Sequence, residues 1–190
     1  MEYLDGPGLN SLIIGRHPAL AKQLMTFLRH AAEAIDALHQ AGFIHRDICP
    51  RNFVANREIT SLKLIDFGLT VPATPPFMQP GNRTGTPTYM SPEVVRRRHT
   101  DQRLDIFSFG VSTYELLTFE LPWERGTGDG MAAMAHSTLA PVPIEQRRPT
   151  IHPALAKAIM ACLAADRDER PESMERFLQM VWGIEAVDAG

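Results

Sequence analysis

The chain has very little cysteine. Its 190 residues include only two cysteines, Cys49 and Cys162, which stand far apart with no CxxC spacing and no cluster of cysteine or histidine around them. This scarcity excludes a disulfide framework and argues against a structural zinc site. We therefore expect a reduced protein of the cytoplasm.

Long uncharged apolar runs are also missing. The nearest candidate, residues 106–119, is interrupted by Glu115 and is shorter than the roughly 18 apolar residues of a membrane-spanning helix. The first ten residues carry two acids, and no basic segment leads into an apolar one as in a secretory signal. The sequence as given predicts no membrane segment and no signal peptide.

The sequence has no excess of positive charge. Its 19 lysines and arginines are outnumbered by 22 aspartates and glutamates, so the formal net charge is −3. This balance argues against a protein whose whole surface binds nucleic acid. One local basic run, residues 96–99 ("RRRH"), remains. It either contacts acidic peptide or nucleic acid, or is a solvated face at the end of a short helix.

The pattern of apolar residues predicts a mainly helical protein. Apolar residues recur at steps of three and four from about Pro18 to Gln40, which predicts an amphipathic helix that Gly42 ends. From Asp101 to Phe119 they cover most of the circumference, as in a helix buried on nearly all sides. Three shorter helical segments are predicted further along the chain, at 129–138, 153–164 and 171–182.

Two β-prone pieces and one irregular segment complete the predicted architecture. The pieces "NFVA" (52–55) and "LKLID" (62–66) flank a polar turn and predict a small hairpin. Residues 70–88 contain five prolines and two glycines, which predicts a long segment without regular structure. Loops of that length in ordered domains are often functional.

Three oxygen-bearing side chains follow one another around the predicted hairpin. Asp47 and Asn52 stand five residues apart in "HRDICPRN", and Asp66 follows in "LIDFG". Carboxylate and amide oxygens suit a hard cation such as Mg²⁺, and a carboxylate in a cleft can also accept a proton. In the alternative interpretation Asp47 and Asn52 cap turns, and Asp66 pairs with Arg46.

Together these motifs resemble the catalytic segment of eukaryotic-type serine/threonine protein kinases. The family pattern HRDxxxxN is matched by residues 45–52, the DFG element by 66–68, and the alanine-proline-glutamate element by 91–93, with serine in the first place. In addition, "GTPTYMSPE" (85–93) is similar to the family's substrate-facing loop and "DIFSFGV" (105–111) to the start of its central helix. The resemblance implies a mainly α, α+β family fold: a kinase-like C-terminal lobe with a small β-hairpin.

The resemblance also implies a role for each matched residue. Asp47 would accept or orient the proton of the incoming protein hydroxyl, while Asn52 and Asp66 would hold Mg²⁺ ions that bridge the ATP phosphates. Thr86 would help to orient Asp47. The adenine would lie over Val54 and face backbone groups of Glu2 and Leu4. Structural or regulatory roles are implied for His45, Arg46, Phe67, Gly68, Glu93, Asp105 and Arg170.

Some of these supporting residues have an equally simple structural interpretation. Glu93 and Arg170 could form a surface ion pair of little energetic worth, and Asp105 could merely begin a helix. Arg46 would meet a phosphate on the activation segment, for which Thr74 and Thr84 are candidates.

The sequence departs from the family pattern at one catalytic position. Two residues beyond Asp47, where serine/threonine kinases usually carry a lysine, it has Cys49. A cation that would touch the transferred phosphate is therefore missing. We hypothesise that Arg51, placed as in many tyrosine kinases, restores this charge.

A second departure concerns the nucleotide cleft. No GxGxxG occurs in the sequence, and Met1 already matches the residue before the family's hinge. We therefore expect the C-terminal lobe alone. The expected partners are a protein substrate and either an absent N-terminal lobe or a fused domain. The expected segments are a hinge (1–8), a catalytic loop (43–54), an activation segment (66–93) and a helical subdomain (94–184). We expect little activity from this chain alone; a non-catalytic interaction module is the alternative.

Overall fold

The computed structural model describes residues 4–81, 83–123 and 139–189. In chain order, its helices and strands are α1 (Leu9–Ile14), α2 (Leu20–Gln40), β1 (Phe43–Ile44), β2 (Phe53–Ala55), β3 (Leu62–Leu64), β4 (Val71–Pro72), α3 (Pro75–Met78), α4 (Pro92–Val95), α5 (Arg103–Thr118), α6 (Ile144–Arg147), α7 (Pro153–Cys162) and α8 (Met174–Met180). Short 3₁₀ turns occupy Pro50–Asn52, Pro87–Tyr89 and Arg167–Glu169. The predicted mainly helical fold is confirmed, and two small antiparallel strand pairs accompany the helices among the described residues.

The helix α5 lies at the centre of the core, as its apolar circumference predicts. Nearly every residue in it is buried. Gly110 allows a close approach to α7, because a Cβ at this position would lie 2.7 Å from the Cβ of Cys162. The ring of Phe109 packs edge-on against Phe177 of α8, with centroids 4.9 Å apart. Burial raises the pKa of the Cys162 thiol to about 12, so this cysteine is a neutral packing group.

The helix α2 begins and ends close to the predicted limits. It buries one apolar stripe, including Phe27, Leu28 and Ile35, against the core. Gly42 follows its end with φ +81°, a conformation that glycine adopts without steric cost. The chain then enters β1, which leads directly into the segment that carries Asp47.

The predicted hairpin is present, and a second strand pair accompanies it. β2 pairs antiparallel with β3, with Val54 opposite Lys63. The side-chain oxygen of Asn56 closes the turn by accepting the N–H groups of Thr60 and Ser61. β1 pairs with β4, a contact between separate parts of the chain that the local sequence did not predict.

The prediction that residues 70–88 lack regular structure is wrong. β4 and α3 both lie in this segment. Proline is compatible with both elements: Pro72 lies at the edge of a two-stranded sheet, and Pro75 and Pro76 occupy the first turn of α3. In these places the missing N–H and fixed φ of proline cost little.

Two of the three later helices are present with altered limits. α7 begins at Pro153 as predicted but ends two residues early. α8 begins only at Met174, because the hydroxyl of Ser173 caps it by accepting the N–H of Arg176. The helix predicted at 129–138 lies outside the described residues. Among the described helices, none is both long enough and apolar enough to cross a membrane.

Candidate active site

The segment 45–52, which we call the catalytic loop, is held at its start by a buried carboxylate. Asp105, in the first turn of α5, is fully buried. Its two oxygens accept the backbone N–H groups of His45 (2.8 Å) and Arg46 (2.9 Å). His39 at the end of α2 adds a third contact through Nε2, 2.9 Å away. Arg46 has φ +71°, so these bonds hold the loop in a backbone conformation that non-glycine residues rarely adopt.

The carboxylate of Asp47 is fixed by donors from two segments. Its Oδ1 accepts both the backbone N–H and the hydroxyl of Thr86, each at 2.8 Å. Its Oδ2 accepts Nδ2 of Asn52 at 3.1 Å, and the same amide nitrogen donates to the Asp47 carbonyl at 2.7 Å. The structure thus brings Asp47, Asn52 and Thr86 together, although Asp47 and Thr86 are 39 residues apart. Asp47 remains partly exposed, so a substrate can reach it.

Cys49 and Arg51 both lie beside the hydroxyl of Thr86. Cys49 is buried, with Sγ 3.8 Å from Thr86 Oγ1. Arg51 is exposed, and its Nη2 donates to the same oxygen at 3.0 Å. A guanidinium therefore lies one hydroxyl away from the carboxylate of Asp47, on the side where the family's usual lysine is missing.

Asp66 follows directly on a residue that is hydrogen-bonded to Asn52. The backbone N–H of Ile65 donates to the carbonyl of Asn52 at 2.8 Å. Asp66 itself has φ +61° and an exposed side chain, whose Oδ1 accepts the N–H of Gly68 at 3.2 Å. The alternative pairing of Asp66 with Arg46 is wrong, since Arg46 donates to Thr84 instead. Asn52 lies within a 3₁₀ turn and closes the segment 47–52 through the bond from its side chain to the Asp47 carbonyl.

The side-chain oxygens of Asn52 and Asp66 are of the chemical type that Mg²⁺ binds. The amide nitrogen of Asn52 donates hydrogen bonds to Asp47. The amide oxygen, Oδ1, is therefore the atom of Asn52 that would bind a metal ion. Asp66 keeps a carboxylate oxygen beyond the one that Gly68 uses. The described residues contain no group of three or more His, Cys, Asp or Glu side chains that could hold a metal. Phosphate and water oxygens would have to complete the coordination, as is usual for Mg²⁺.

His45 and Phe67 pack between the catalytic loop and the DFG element. Nε2 of the buried His45 ring lies 3.3 Å from the carbonyl oxygen of Ile65, and Nδ1 of the same ring accepts the N–H of Asp47. Phe67 contacts this ring edge-on, with centroids 5.5 Å apart. Phe67 is nevertheless 53% exposed, so one face of this contact is open to solvent.

The loop that carries Thr86 is anchored against the catalytic loop at two further points. Gly85 has φ +104°, and a Cβ there would lie 2.5 Å from the Arg46 carbonyl oxygen. Only glycine fits such a position without a shift of backbone. Arg46 Nη2 donates to the hydroxyl of Thr84 at 2.7 Å. Thr74 lies elsewhere, exposed at the start of α3.

The Glu93–Arg170 ion pair is buried, so the interpretation as a weak surface pair is wrong. The guanidinium donates to both carboxylate oxygens at 2.8 Å. It also donates to the carbonyls of Ala164 and Arg103, and it lies over the Phe107 ring at 4.9 Å. This pair ties the end of the substrate-facing loop to the segment before α8.

Sequence reasoning missed a contact that holds the same loop against α5. The hydroxyl of Tyr89 donates to Glu115 Oε2 at 2.6 Å, and Ser108 donates to the Tyr89 carbonyl at 2.7 Å. Burial and then the Glu115 carboxylate raise the pKa of Tyr89 well above its ordinary value. Since Glu115 is the one acid in α5 beyond its first turn, its position in an apolar stretch was a usable signal.

On the side predicted to face the nucleotide, residues 6–8 run against β2. Pro7 accepts the N–H of Ala55 at 2.9 Å, and Gly8 forms an isolated antiparallel bridge with Val54. A Cβ at Gly6 would lie 1.9 Å from the Ala55 oxygen, so glycine permits this approach. Leu4 is partly exposed, whereas Glu2 lies outside the described residues.

Comparison with known proteins agrees with this geometry. A family model described as the protein kinase domain matches residues 1–183. The chain belongs to the protein kinase domain family. The resemblance inferred from the motifs is thereby confirmed, and the mainly helical body with small strand pairs is consistent with a kinase C-terminal lobe.

Several relatives are serine/threonine-protein kinases of bacteria. The chain is 33% identical to pkn3 of Myxococcus xanthus over 187 residues, which cover 93% of this chain and 34% of that protein. It is 31% identical to PknB of Mycolicibacterium smegmatis, over 90% of this chain and 27% of the relative. It is 38% identical to PknL of Mycobacterium tuberculosis, over 75% of this chain and 35% of the relative. The chain thus spans about a quarter to a third of the length of these relatives.

Proposed function

We propose that these residues form the phosphoryl-transfer part of an ATP-dependent serine/threonine protein kinase, cytoplasmic in location. The observation that carries this proposal is the fixed carboxylate of Asp47, held by Thr86 and Asn52 on a loop that Asp105 anchors. In phosphoryl transfer, catalysis is mostly positioning and charge stabilisation. A preorganised carboxylate that stays accessible is suited to orienting a protein hydroxyl.

Asp47 acts on the hydroxyl of the protein substrate. Thr86 already occupies Oδ1 with two donors, and Asn52 lies on Oδ2 at the longer distance of 3.1 Å. The substrate hydroxyl donates to the remaining acceptor capacity of this carboxylate, which aims the hydroxyl oxygen at the γ-phosphate. The proton then passes to the carboxylate as the new O–P bond forms and the bond to ADP breaks.

Asn52 and Asp66 would hold the magnesium ions of the nucleotide. Mg²⁺ bound there neutralises charge on the ATP phosphates during transfer. The adenine would lie over Val54 and would meet backbone groups of Leu4, and the same role is proposed for Glu2, which lies outside the described residues. Residues 1–8 then act as the hinge, 43–54 as the catalytic loop, 66–93 as the activation segment and 94–184 as the helical subdomain.

Arg51 supplies the positive charge that Cys49 cannot. Its guanidinium donates to Thr86 Oγ1, the oxygen that itself donates to Asp47. Arg51 is exposed on the loop surface, so it can reach a phosphate that approaches Asp47. The same arrangement positions Thr86, which gives Arg51 both a charge-stabilising and an orienting role.

Phosphorylation of the activation segment would act through Arg46. Thr84 already accepts a hydrogen bond from this guanidinium. A phosphate on Thr84 would strengthen the contact by charge-assisted pairing and would order the loop that carries Thr86. Thr74 makes no described hydrogen bond with Arg46 and is the weaker candidate.

The 190 residues alone should bind ATP weakly and transfer phosphate slowly or not at all. Their sequence contains no GxGxxG loop to cover the phosphates and none of the family's N-terminal lobe, which supplies the phosphate-binding lysine. Asn52 and Asp66 would therefore bind the magnesium of ATP with few other contacts to the phosphates. A non-catalytic interaction module is the second candidate function. Cys49 favours it, because a cysteine stands at a position that usually carries a phosphate-contacting lysine.

The test joins the N-terminal lobe of a bacterial relative to residues 4–190 and measures transfer of γ-phosphate from ATP to a generic protein substrate. We expect transfer to serine or threonine that Asp47→Asn abolishes. Asp168→Asn, a matched change at an exposed carboxylate, should leave the rate unchanged. Transfer that survives Asp47→Asn would refute the catalytic proposal. A folded chimera that binds ATP and Mg²⁺ but transfers nothing would favour the interaction module.

A further inference from the structure

A basic cavity lies outside the catalytic residues. It has a volume of about 500 Å³, and its lining contains none of Asp47, Asn52, Asp66 or Thr86. The lining side chains come from the end of α4 and from the segment before α8: Glu93, Arg96, Arg98, His99, Ala165, Asp166 and Arg167. The basic run "RRRH", which the catalytic proposal leaves unused, therefore forms one wall of a concave site.

The backbone of Arg97 divides this basic run between two cavities. Arg97 has φ +52°, a left-handed conformation that is costly for a residue with a side chain. Arg96 and Arg98 line the large cavity, whereas Arg97 lines a much smaller one together with Arg46. Arg98 lines both. The basic surface therefore continues from the large cavity to the arginine of the catalytic loop.

The two acids of the large cavity are already engaged within the protein. Both carboxylate oxygens of Glu93 accept hydrogen bonds from the buried Arg170. Asp166 accepts the backbone N–H of Asp168, which caps the 3₁₀ turn that follows. The three arginines Arg96, Arg98 and Arg167 outnumber these two acids in the lining of the cavity.

The cavity retains an uncommitted guanidinium. Arg167 donates to the His99 carbonyl at 2.9 Å and lies 3.6 Å from Asp101. Arg98 is exposed, and its guanidinium makes no hydrogen bond or ion pair with any of the described residues. A concave site with three arginines, one of them unpaired, attracts an anion with several acceptor oxygens.

We propose that this cavity is a docking site for a phosphorylated serine or threonine in a protein partner. A phosphate monoester carries a charge of about −1.5 to −2 and three acceptor oxygens, which suits several converging arginines better than one carboxylate does. The cavity volume lies within the range of ordinary ligand pockets, so a phosphorylated side chain and its neighbours fit. The net charge of −3 and the concave shape favour this partner over nucleic acid.

The test measures binding and does not depend on kinase activity. The probe is a short fluorescein-labelled peptide whose only charged side chain is one phosphoserine among glycine and alanine, and fluorescence anisotropy reports its binding to the full chain. Arg98→Glu should weaken binding by about tenfold or more, the loss expected when one charge-assisted contact is removed and repulsion replaces it. Arg57→Glu, the same change at an exposed arginine in the β2–β3 turn, should leave binding unchanged.

Three further measurements make the proposal refutable. The unphosphorylated peptide, and a peptide with glutamate in place of phosphoserine, should both bind at least about tenfold more weakly. Equal binding of the glutamate peptide, equal losses in both arginine variants, or no binding of phosphopeptide to the folded chain would overturn it. So would tighter, Arg98-dependent binding of a single-stranded oligonucleotide. If Arg98→Glu does not fold, Arg98→Gln replaces it, since this exposed side chain supports no described contact.

Discussion

The buried Glu93–Arg170 pair should dominate the stability of the substrate-facing loop. We consider Arg170→Met, which keeps much of the side-chain volume but removes the charge. The change removes a bidentate ion pair with both bonds at 2.8 Å and leaves the Glu93 carboxylate buried without its partner. It also removes donors to the carbonyls of Ala164 and Arg103. Stability should therefore fall mainly through an uncompensated buried charge.

The expected loss is large for a protein of this size. Removing one partner of a buried ion pair costs about 3–5 kcal/mol, whereas whole domains have a free energy of unfolding of only about 5–15 kcal/mol. For a chain of 190 residues, each 1 kcal/mol lowers Tm by about 2–4 °C. Arg170→Met should therefore lower Tm by about 6–20 °C, measured by circular dichroism during heating and by urea denaturation.

A double variant separates the charge from the packing. If the cost comes from an orphaned carboxylate, Glu93→Leu combined with Arg170→Met should be more stable than Arg170→Met alone, because no buried charge remains. The matched control is Asp188→Asn, which breaks another bidentate Arg–carboxylate pair, to Arg148, at a partly exposed position. This control should cost about 0–1 kcal/mol. A Tm within about 4 °C of the parent for Arg170→Met, or strictly additive losses in the double variant, would refute the reasoning.

Three more predictions concern single residues. In the active chimera, Arg51→Ala should lower kcat about 10- to 100-fold, the worth of one charged contact, and Arg51→Lys should restore part of it; an unchanged kcat would remove Arg51 from catalysis. Gly85→Ala should cost about 1–3 kcal/mol in urea denaturation, since its φ is +104° and the new Cβ would strike the Arg46 oxygen. The hydrogen bond from Arg148 lowers the pKa of Asp188 to about 2, so its contribution is present above pH 4 and lost as pH falls toward 2. This loss in the free energy of unfolding should be below about 1 kcal/mol because Asp188 is partly exposed. Asp188→Asn should make stability fall less steeply over the same pH range.

The elements predicted well from sequence are those with a long, regular pattern. α2 and α5 each run for four or more turns. The apolar stripe of α2 and the apolar circumference of α5 can therefore be recognised in the sequence without knowing which elements pack against them. The β2–β3 hairpin is local and its turn is polar. Residues 70–88 were mispredicted because proline was treated only as a breaker. Their two regular elements depend on positions where proline is tolerated, and β4 depends on a partner strand 28 residues earlier.

The candidate site was predicted as a set of residues but not as a network. The motifs named Asp47, Asn52 and Thr86, yet nothing local indicates that both donors of Thr86 converge on one oxygen of Asp47. Likewise, sequence alone could not decide whether Glu93 and Arg170, 77 residues apart, meet in the core or at the surface. Spacing identifies residue types, whereas burial is set by the packing of distant segments.

One buried helix organises both halves of the site. The first turn of α5 holds the catalytic loop through Asp105. Two later turns of the same helix hold the substrate-facing loop: Ser108 donates to the Tyr89 carbonyl, and Glu115 accepts from the Tyr89 hydroxyl. Because neighbouring side chains fill the space around this helix, one of its turns cannot move unless the others move with it. In the proposed enzyme the core would therefore set the distance between Asp47 and a bound substrate, and substitutions that loosen α5 should lower stability and phosphoryl transfer together.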